Sequence, residues 1–134
     1  CKSQPQICLN IIFRHSPHAH SHLRAMDGVG STAENLKAAI TGESHEFTNM
    51  YPPFVAEAQQ EGNKRAAQSM QGAMEVEKVH HRLFEQALAS VAAGQDLAGV
   101  DIYLCPVCGH VEFGQPPEQC PVCKVKKDKY LKIN

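Results

Sequence analysis

From Leu36 onward, apolar residues fall at three- and four-residue steps: Leu36, Ile40, Phe47, Tyr51, Phe54, Val55 and Ala58. That spacing marks one face of an amphipathic helix. Just ahead, "STAE" offers Ser31 as a cap and Glu34 to reach back to it, a capping box. The pattern breaks at "EGNK" (61–64) and resumes with Ala66, Met70, Ala73, Met74, Phe84, Ala87, Leu88 and Val91, until Gly94 ends it. The expectation is an antiparallel helical hairpin over 31–93, with arms of roughly 28–30 residues and ~40–45 Å. Pro52 and Pro53 inside the first arm predict a kink near Tyr51.

The flanks differ in character. Residues 1–30 mix polar, apolar and histidine residues and end in the turn-like "DGVG"; they read as an incomplete N-terminal helical segment. "GQDLAGVD" (94–101) is a glycine-containing linker, and 102–134 is a module rich in Cys, Pro, Gly and Lys. The whole reads as a mainly α protein with a small metal-binding module. Two amphipathic helices cannot bury their stripes on each other alone, so the hairpin should be half of a four-helix bundle. Residues 1–30 look too short to supply the other half. A second chain, in a homodimer or higher homo-oligomer, is the expected source.

Charged residues interrupt the stripe. Glu43 lies three after Ile40 and four before Phe47, and Glu46 follows at i+3. In the second arm Glu77 falls between Met74 and Phe84, with His80 at i+3. A carboxylate without a partner in a core is costly. Three carboxylates and an imidazole converging there make sense as ligands sharing cations, as in carboxylate-bridged di-metal bundles. The competing reading puts all four at the stripe's edge, in water. Glu75, Lys78 and His81 lie to the side and read as solvated or as supports for the ligands.

Composition narrows the options. Thirteen basic and fourteen acidic residues give a net charge of -1, which argues against a nucleic-acid surface. A hydrophobic content of 43% suffices for a core, and without tryptophan that core must rest on Ala, Leu, Met and Val. The longest apolar run, "ICLNIIF", is too short for a bilayer and lacks the features of a signal peptide, so no membrane role and a cytoplasmic location are expected. The opening Cys in place of Met reads as a processed product or a fragment.

Of the six cysteines, Cys1 and Cys8 stand apart, and the rest form two C-x-x-C pairs, Cys105/Cys108 and Cys120/Cys123. Two such knuckles deliver four thiolates in a tetrahedron. Spacing alone leaves iron and zinc both open. Gly109 after the first knuckle suits a positive-φ turn, whereas Lys124 at the equivalent place fits less comfortably. A module of ~30 residues needs a metal or a disulfide to fold. Its tail, "KVKKDKYLK", reads as a solvated face.

A hairpin carrying "GESHE" and "EKVH" followed by a four-cysteine module resembles the rubrerythrin family. The likeness covers about residues 15–134: "ENLKAAITGESHEFTNMYPPF" is similar to the family's third bundle helix, "AMEVEKVHHRLFEQAL" to its fourth, and the last thirty-odd residues to its rubredoxin-like domain. The resemblance implies a ferritin-like bundle and a non-haem iron peroxidase protecting against oxidative stress. There a di-iron site reduces hydrogen peroxide, a mononuclear Fe(Cys)4 site feeds it electrons, and a redox protein serves as electron donor. It implies Glu43 and Glu77 as carboxylate ligands, His80 as imidazole ligand, Glu46 as an exchangeable glutamate and Tyr51 as a hydrogen-bonding tyrosine. Cys105, Cys108, Cys120 and Cys123 would hold the single iron. "HSPHAHSHLRAM" looks like the tail of the family's second helix, with His18 as a metal-binding histidine.

The departures are a histidine, His15, where the family has a glutamate, and the absence of the first helix. "CKSQPQICLNIIF" matches nothing in the pattern, and His15, His18, His20 and His22 also fit a polar helix end without metal. One chain then lacks two of the family's carboxylates. Either two chains pair, each giving Glu43, Glu46, Glu77 and His80, or the helical site binds metal poorly. The alternatives to a peroxidase are a truncated ferritin-like iron-binding or electron-transfer protein and a zinc-ribbon adaptor.

Overall fold

The computed structural model describes residues 16–95, 97 and 99–133. "CKSQPQICLNIIF", with Cys1 and Cys8, and the departure at His15 lie outside the described residues. The chain divides between Ser31 and Thr32 into two compact units.

In the first unit, helix α1 spans Ser16–Ala25. It ends where Met26 N–H donates to His22 O at 3.1 Å and Gly28 N–H to Leu23 O at 2.9 Å. Asp27 takes the left-handed conformation, φ 52°, in this closing turn.

The second unit holds both the hairpin and the cysteine module. Its first arm is α2 (Thr32–His45), a π-helical turn (Glu46–Met50) and α3 (Tyr51–Gln60). The second arm is the unbroken α4 (Lys64–Ala92). Asn63 caps α4 by accepting from Ala66 N–H at 3.1 Å, and Gly62 takes φ 71° in the connecting turn. Beyond α4, Gly94 takes φ 69°. Both α2 and α3 pack along α4.

Where a kink is expected near Tyr51, the first arm is interrupted by the π-turn that ends at Met50. The prolines occupy the first turn of α3, where a missing N–H costs least. Without their donors the carbonyls of Thr48 and Asn49 lose helical partners. The chain widens one turn earlier instead, and Tyr51 N–H reaches back five residues to Glu46 O.

The stripe is only partly covered within this unit. No residue of α2 is fully buried; Val55 and Ala58 are buried on α3, and Ala67 and Val76 on α4. Phe54, expected on the buried face, is instead 44% exposed. It neighbours the prolines, where the π-turn has shifted the helical phase.

The module is a three-stranded antiparallel sheet in the order β2-β1-β3, formed by β1 (Ile102–Leu104), β2 (Val111–Phe113) and β3 (Leu131–Lys132). Tyr103 pairs with Glu112 on one side and Lys132 on the other. The module sits on α4. A side chain at Gly72 would meet Val122 Cγ1 at 3.7 Å, and one at Gly109 would meet Val76 Cγ1 at the same distance. The Lys-rich tail is solvated at its lysines but not at Tyr130, which is buried. Among the described residues, no helix is long and apolar enough to cross a membrane.

Candidate metal centres

Two groups of potential ligands converge among the described residues, each with donor atoms lying within 4.8 Å of one another. The first is Cys105, Cys108, Cys120 and Cys123, all free thiols. Each knuckle is closed in the same way. Gly109 N–H donates to Cys105 O at 2.9 Å and Cys105 N–H to His110 O at 2.8 Å; Lys124 N–H donates to Cys120 O at 3.0 Å and Cys120 N–H to Val125 O at 2.8 Å. This turn needs a left-handed residue at its end, and Gly109 (φ 85°) and Lys124 (φ 63°) both comply. Lysine does so against its steric preference.

The sulfurs fit a metal. Cys105 Sγ lies 3.6 Å from Cys123 Sγ, and Cys108 Sγ 3.5 Å from Cys120 Sγ. A tetrahedron with metal–sulfur bonds of about 2.3 Å has edges of roughly 3.8 Å. Burial pushes the Cys108 and Cys123 thiols up. Cys120, although desolvated, is brought down to about 6 by hydrogen bonds from Tyr130 and from the Cys123 and Val122 backbone. Soft thiolates in this arrangement suit iron or zinc.

The second group is Glu43 on α2 with Glu77 and His80 on α4. Glu77 and His80 stand one turn apart, and His80 Nδ1 lies 2.8 Å from Glu77 Oε2 and 3.8 Å from Glu43 Oε1. The three side chains are 15–24% exposed. They sit inside the hairpin rather than on a wet face. Desolvation, a hydrogen bond with Glu77 and the charge of Glu77 raise Glu43 from 4.5 to about 7, against the opposing pull of His80. A cation bound here would compete with the proton on Glu43.

On the far side of its ring, His80 Nε2 donates to Gly109 O at 3.0 Å. A carbonyl can only accept, so Nε2 carries a hydrogen, and Nδ1 is the nitrogen left to face the carboxylates and to offer a lone pair to a cation bound there. Gly109 directly follows Cys108. One imidazole thus links the carboxylate group to the backbone of a cysteine knuckle. An apolar cavity of ≈ 270 Å³, lined by Leu36, Leu83, Phe84, Ile102 and Phe113 among others, borders the same ring.

The remaining expected site residues fall around this triad. Glu46 opens the π-turn and is not one of the converging three, but its charge, like those of Glu77 and Glu43, raises the Tyr51 hydroxyl after burial has done so. Tyr51 therefore stays a hydrogen-bond donor. His18 lies on α1, in the other unit, and neither ligand group includes it. Glu75 and Lys78 form an exposed ion pair at 2.8 Å, as expected of a solvated face. His81 is drier, with its ring edge-on to Phe47 at 5.5 Å.

Three features went unread in the sequence: the Gly109 carbonyl, the buried pair His110 and Tyr130, and Val76. Gly72 and Val76, one turn apart on α4, were the available sign of a second packing face.

Comparison with known proteins agrees with this geometry. Residues 8–88 match the family model for rubrerythrin, and residues 103–130 match that for the rubrerythrin, rubredoxin-like domain. Rubrerythrin-2 of Clostridium acetobutylicum is 40% identical over 106 residues, covering 79% of this chain and 58% of that protein. A putative rubrerythrin of Methanocaldococcus jannaschii is 40% identical over 109 residues, covering 78% and 52%. A solved structure of nigerythrin in a partially reduced state superposes with a TM-score of 0.72 at 32% identity, over 78% of this chain and 50% of that one. The chain spans about half the length of the curated relatives it matches. The architecture is that of a ferritin-like helical hairpin carrying a rubredoxin-like module.

Proposed function

Since this chain belongs to the rubrerythrin family, we propose that it is a cytoplasmic redox protein that reduces hydrogen peroxide at a carboxylate-held di-iron site, with electrons supplied through the cysteine site. When bound, the irons would supply the two electrons that, with two protons, convert peroxide to two waters. Glu43, Glu77 and His80 would hold metal on the hairpin, with Glu46 as a further carboxylate at the mouth of the π-turn. Tyr51 would offer its hydroxyl as a hydrogen-bond donor beside them. Cys105, Cys108, Cys120 and Cys123 would hold a single iron.

The observation carrying this reading is the double engagement of His80, with Nδ1 at the carboxylates and Nε2–H on the carbonyl that follows Cys108. An imidazole bridging a hard-ligand and a soft-ligand site gives electrons a short bonded route between them. An apolar cavity borders the same ring.

The three donors that converge among the described residues do not complete a di-metal site. We assign the balance to a second copy, whose hairpin would cover the half-exposed stripe and contribute its own carboxylates. A redox protein would deliver electrons to the assembled homodimer. The triad alone also fits an iron-binding or electron-transfer protein without peroxide turnover. Rapid mixing of the reduced, iron-loaded chain with peroxide separates these readings. Peroxide should restore the red ferric cysteine-site colour in the wild type, and Glu77→Ala should abolish this while keeping the chromophore. Undiminished turnover in that variant would refute the site.

A further inference from the structure

The cysteine module buries two polar side chains that its metal does not need. His110 is 2% exposed and Tyr130 is 8% exposed, beside the fully buried Cys105 and Cys120. Tyr130 Oη lies 3.0 Å from His110 Nδ1, with the two rings edge to face. Tyr130 packs in one buried cluster with Cys105 and Cys120, which brings its hydroxyl within the influence of the Cys120 sulfur. Phenylalanine at 130 and an apolar residue at 110 would fill the same space without desolvating anything.

Proton counting limits the directions these bonds can take. Tyr130 has one hydrogen to give, and two acceptors compete for it: the Cys120 sulfur and the His110 ring nitrogen. A metal-bound thiolate carries negative charge and is the stronger claimant. With the hydroxyl hydrogen on sulfur, the 3.0 Å contact requires His110 to donate its Nδ1–H to the tyrosine oxygen. Its Nε2 faces Glu112 Oε2 at 4.0 Å, beyond hydrogen-bonding distance.

We propose that Tyr130 sets the reduction potential of the cysteine site by donating its hydroxyl hydrogen to Cys120 Sγ, with His110 as the positioning residue that holds the hydroxyl in that orientation. Iron ligated by four thiolates gains one negative charge on passing from ferric to ferrous, with no proton transferred. A donor aimed at sulfur stabilises the more negative state and raises the potential. The proposal rests on reading this site as a one-electron iron centre.

The test is a potentiometric titration of the full chain, loaded anaerobically with ferrous iron and followed by its ferric-thiolate absorption. A chemical one-electron reductant supplies the electrons. Tyr130→Phe should keep its iron and its colour while its reduction equilibrium weakens about tenfold, a fall of about 59 mV for a one-electron couple. His110→Phe, which keeps the hydroxyl but removes its own donor, should shift the potential the same way by less. An unchanged potential in Tyr130→Phe overturns the proposal and leaves the function above intact. If Tyr130→Phe fails to hold iron, His110→Phe decides alone: no change, or a rise, overturns the proposal. A wild-type chain that takes up iron without ferric-thiolate colour refutes the iron reading and the proposal with it.

Discussion

The two candidate metal sites of this chain are built by opposite strategies. The cysteine site draws four identical ligands from two short turns, and its backbone hydrogen bonds are repeated almost atom for atom in each turn. The triad of Glu43, Glu77 and His80 draws three unlike ligands from two long helices and depends on the hairpin keeping its phase. A local motif can be complete within a fragment of a fold. A site spread over a bundle is only as complete as the bundle. The same contrast appears in the protonation chemistry. Backbone N–H groups and Tyr130 ease Cys120 toward its thiolate form, whereas burial and Glu77 make Glu43 hold its proton more tightly than an ordinary carboxylate.

Removing metal from the cysteine site should produce the largest effect. A structural tetrathiolate metal contributes on the order of 10 kcal/mol to folding of a small module. Cys120→Ser or strong chelation should therefore unfold residues 102–133 while α2, α3 and α4 stay helical. Hydrogen exchange resolved by segment measures this, and protection retained in the sheet would erase the contrast.

The counterpart on the helices is Glu77→Gln. It should abolish metal uptake at the triad while barely changing helix content, since no fold depends on that cation. Metal titration paired with circular dichroism checks both halves.

Acidity should separate the sites next. Glu43 is raised on folding, so its protonated form stabilises the metal-free fold. That contribution is complete below 4.5 and is lost as pH rises through about 7. The hairpin of the metal-free chain should melt several degrees lower at pH 8 than at pH 5. Glu43→Gln should flatten this slope, and a slope surviving that substitution would place its origin elsewhere.

Two smaller changes probe the joint between the regions. Val76→Ala opens a gap beneath Gly109 and should cost about 1–3 kcal/mol, seen in chemical denaturation. Lys124→Gly should do the reverse, stabilising the second knuckle by ~1 kcal/mol by relieving a left-handed lysine.

Much of this was legible in sequence. Apolar spacing located both arms, and Asn63 and Gly62 mark the break where "EGNK" interrupts it. Glu77 and His80 could be read as ligands because an i, i+3 pair must share a face. The cysteine tetrad followed from spacing alone. Other features were hidden because they depend on contacts between distant segments. Val76 looks like one more helix valine until Gly109 is set against it. Tyr130, amid lysines, looks solvated until the sheet folds it over Cys120. The Gly109 carbonyl has no side chain to announce it, and only the folded module shows it meeting His80. The π-turn arose from a local cause, two prolines, yet its displacement by one turn reflects which carbonyls lost their donors.

The most direct test of the two-site account is the iron content of the anaerobically purified chain, resolved by Mössbauer spectroscopy into sulfur-ligated and oxygen- or nitrogen-ligated populations. Both populations are expected in the wild type, with Glu77→Gln losing only the second. Zinc with no iron, or an oxygen-ligated population indifferent to Glu77, would contradict it.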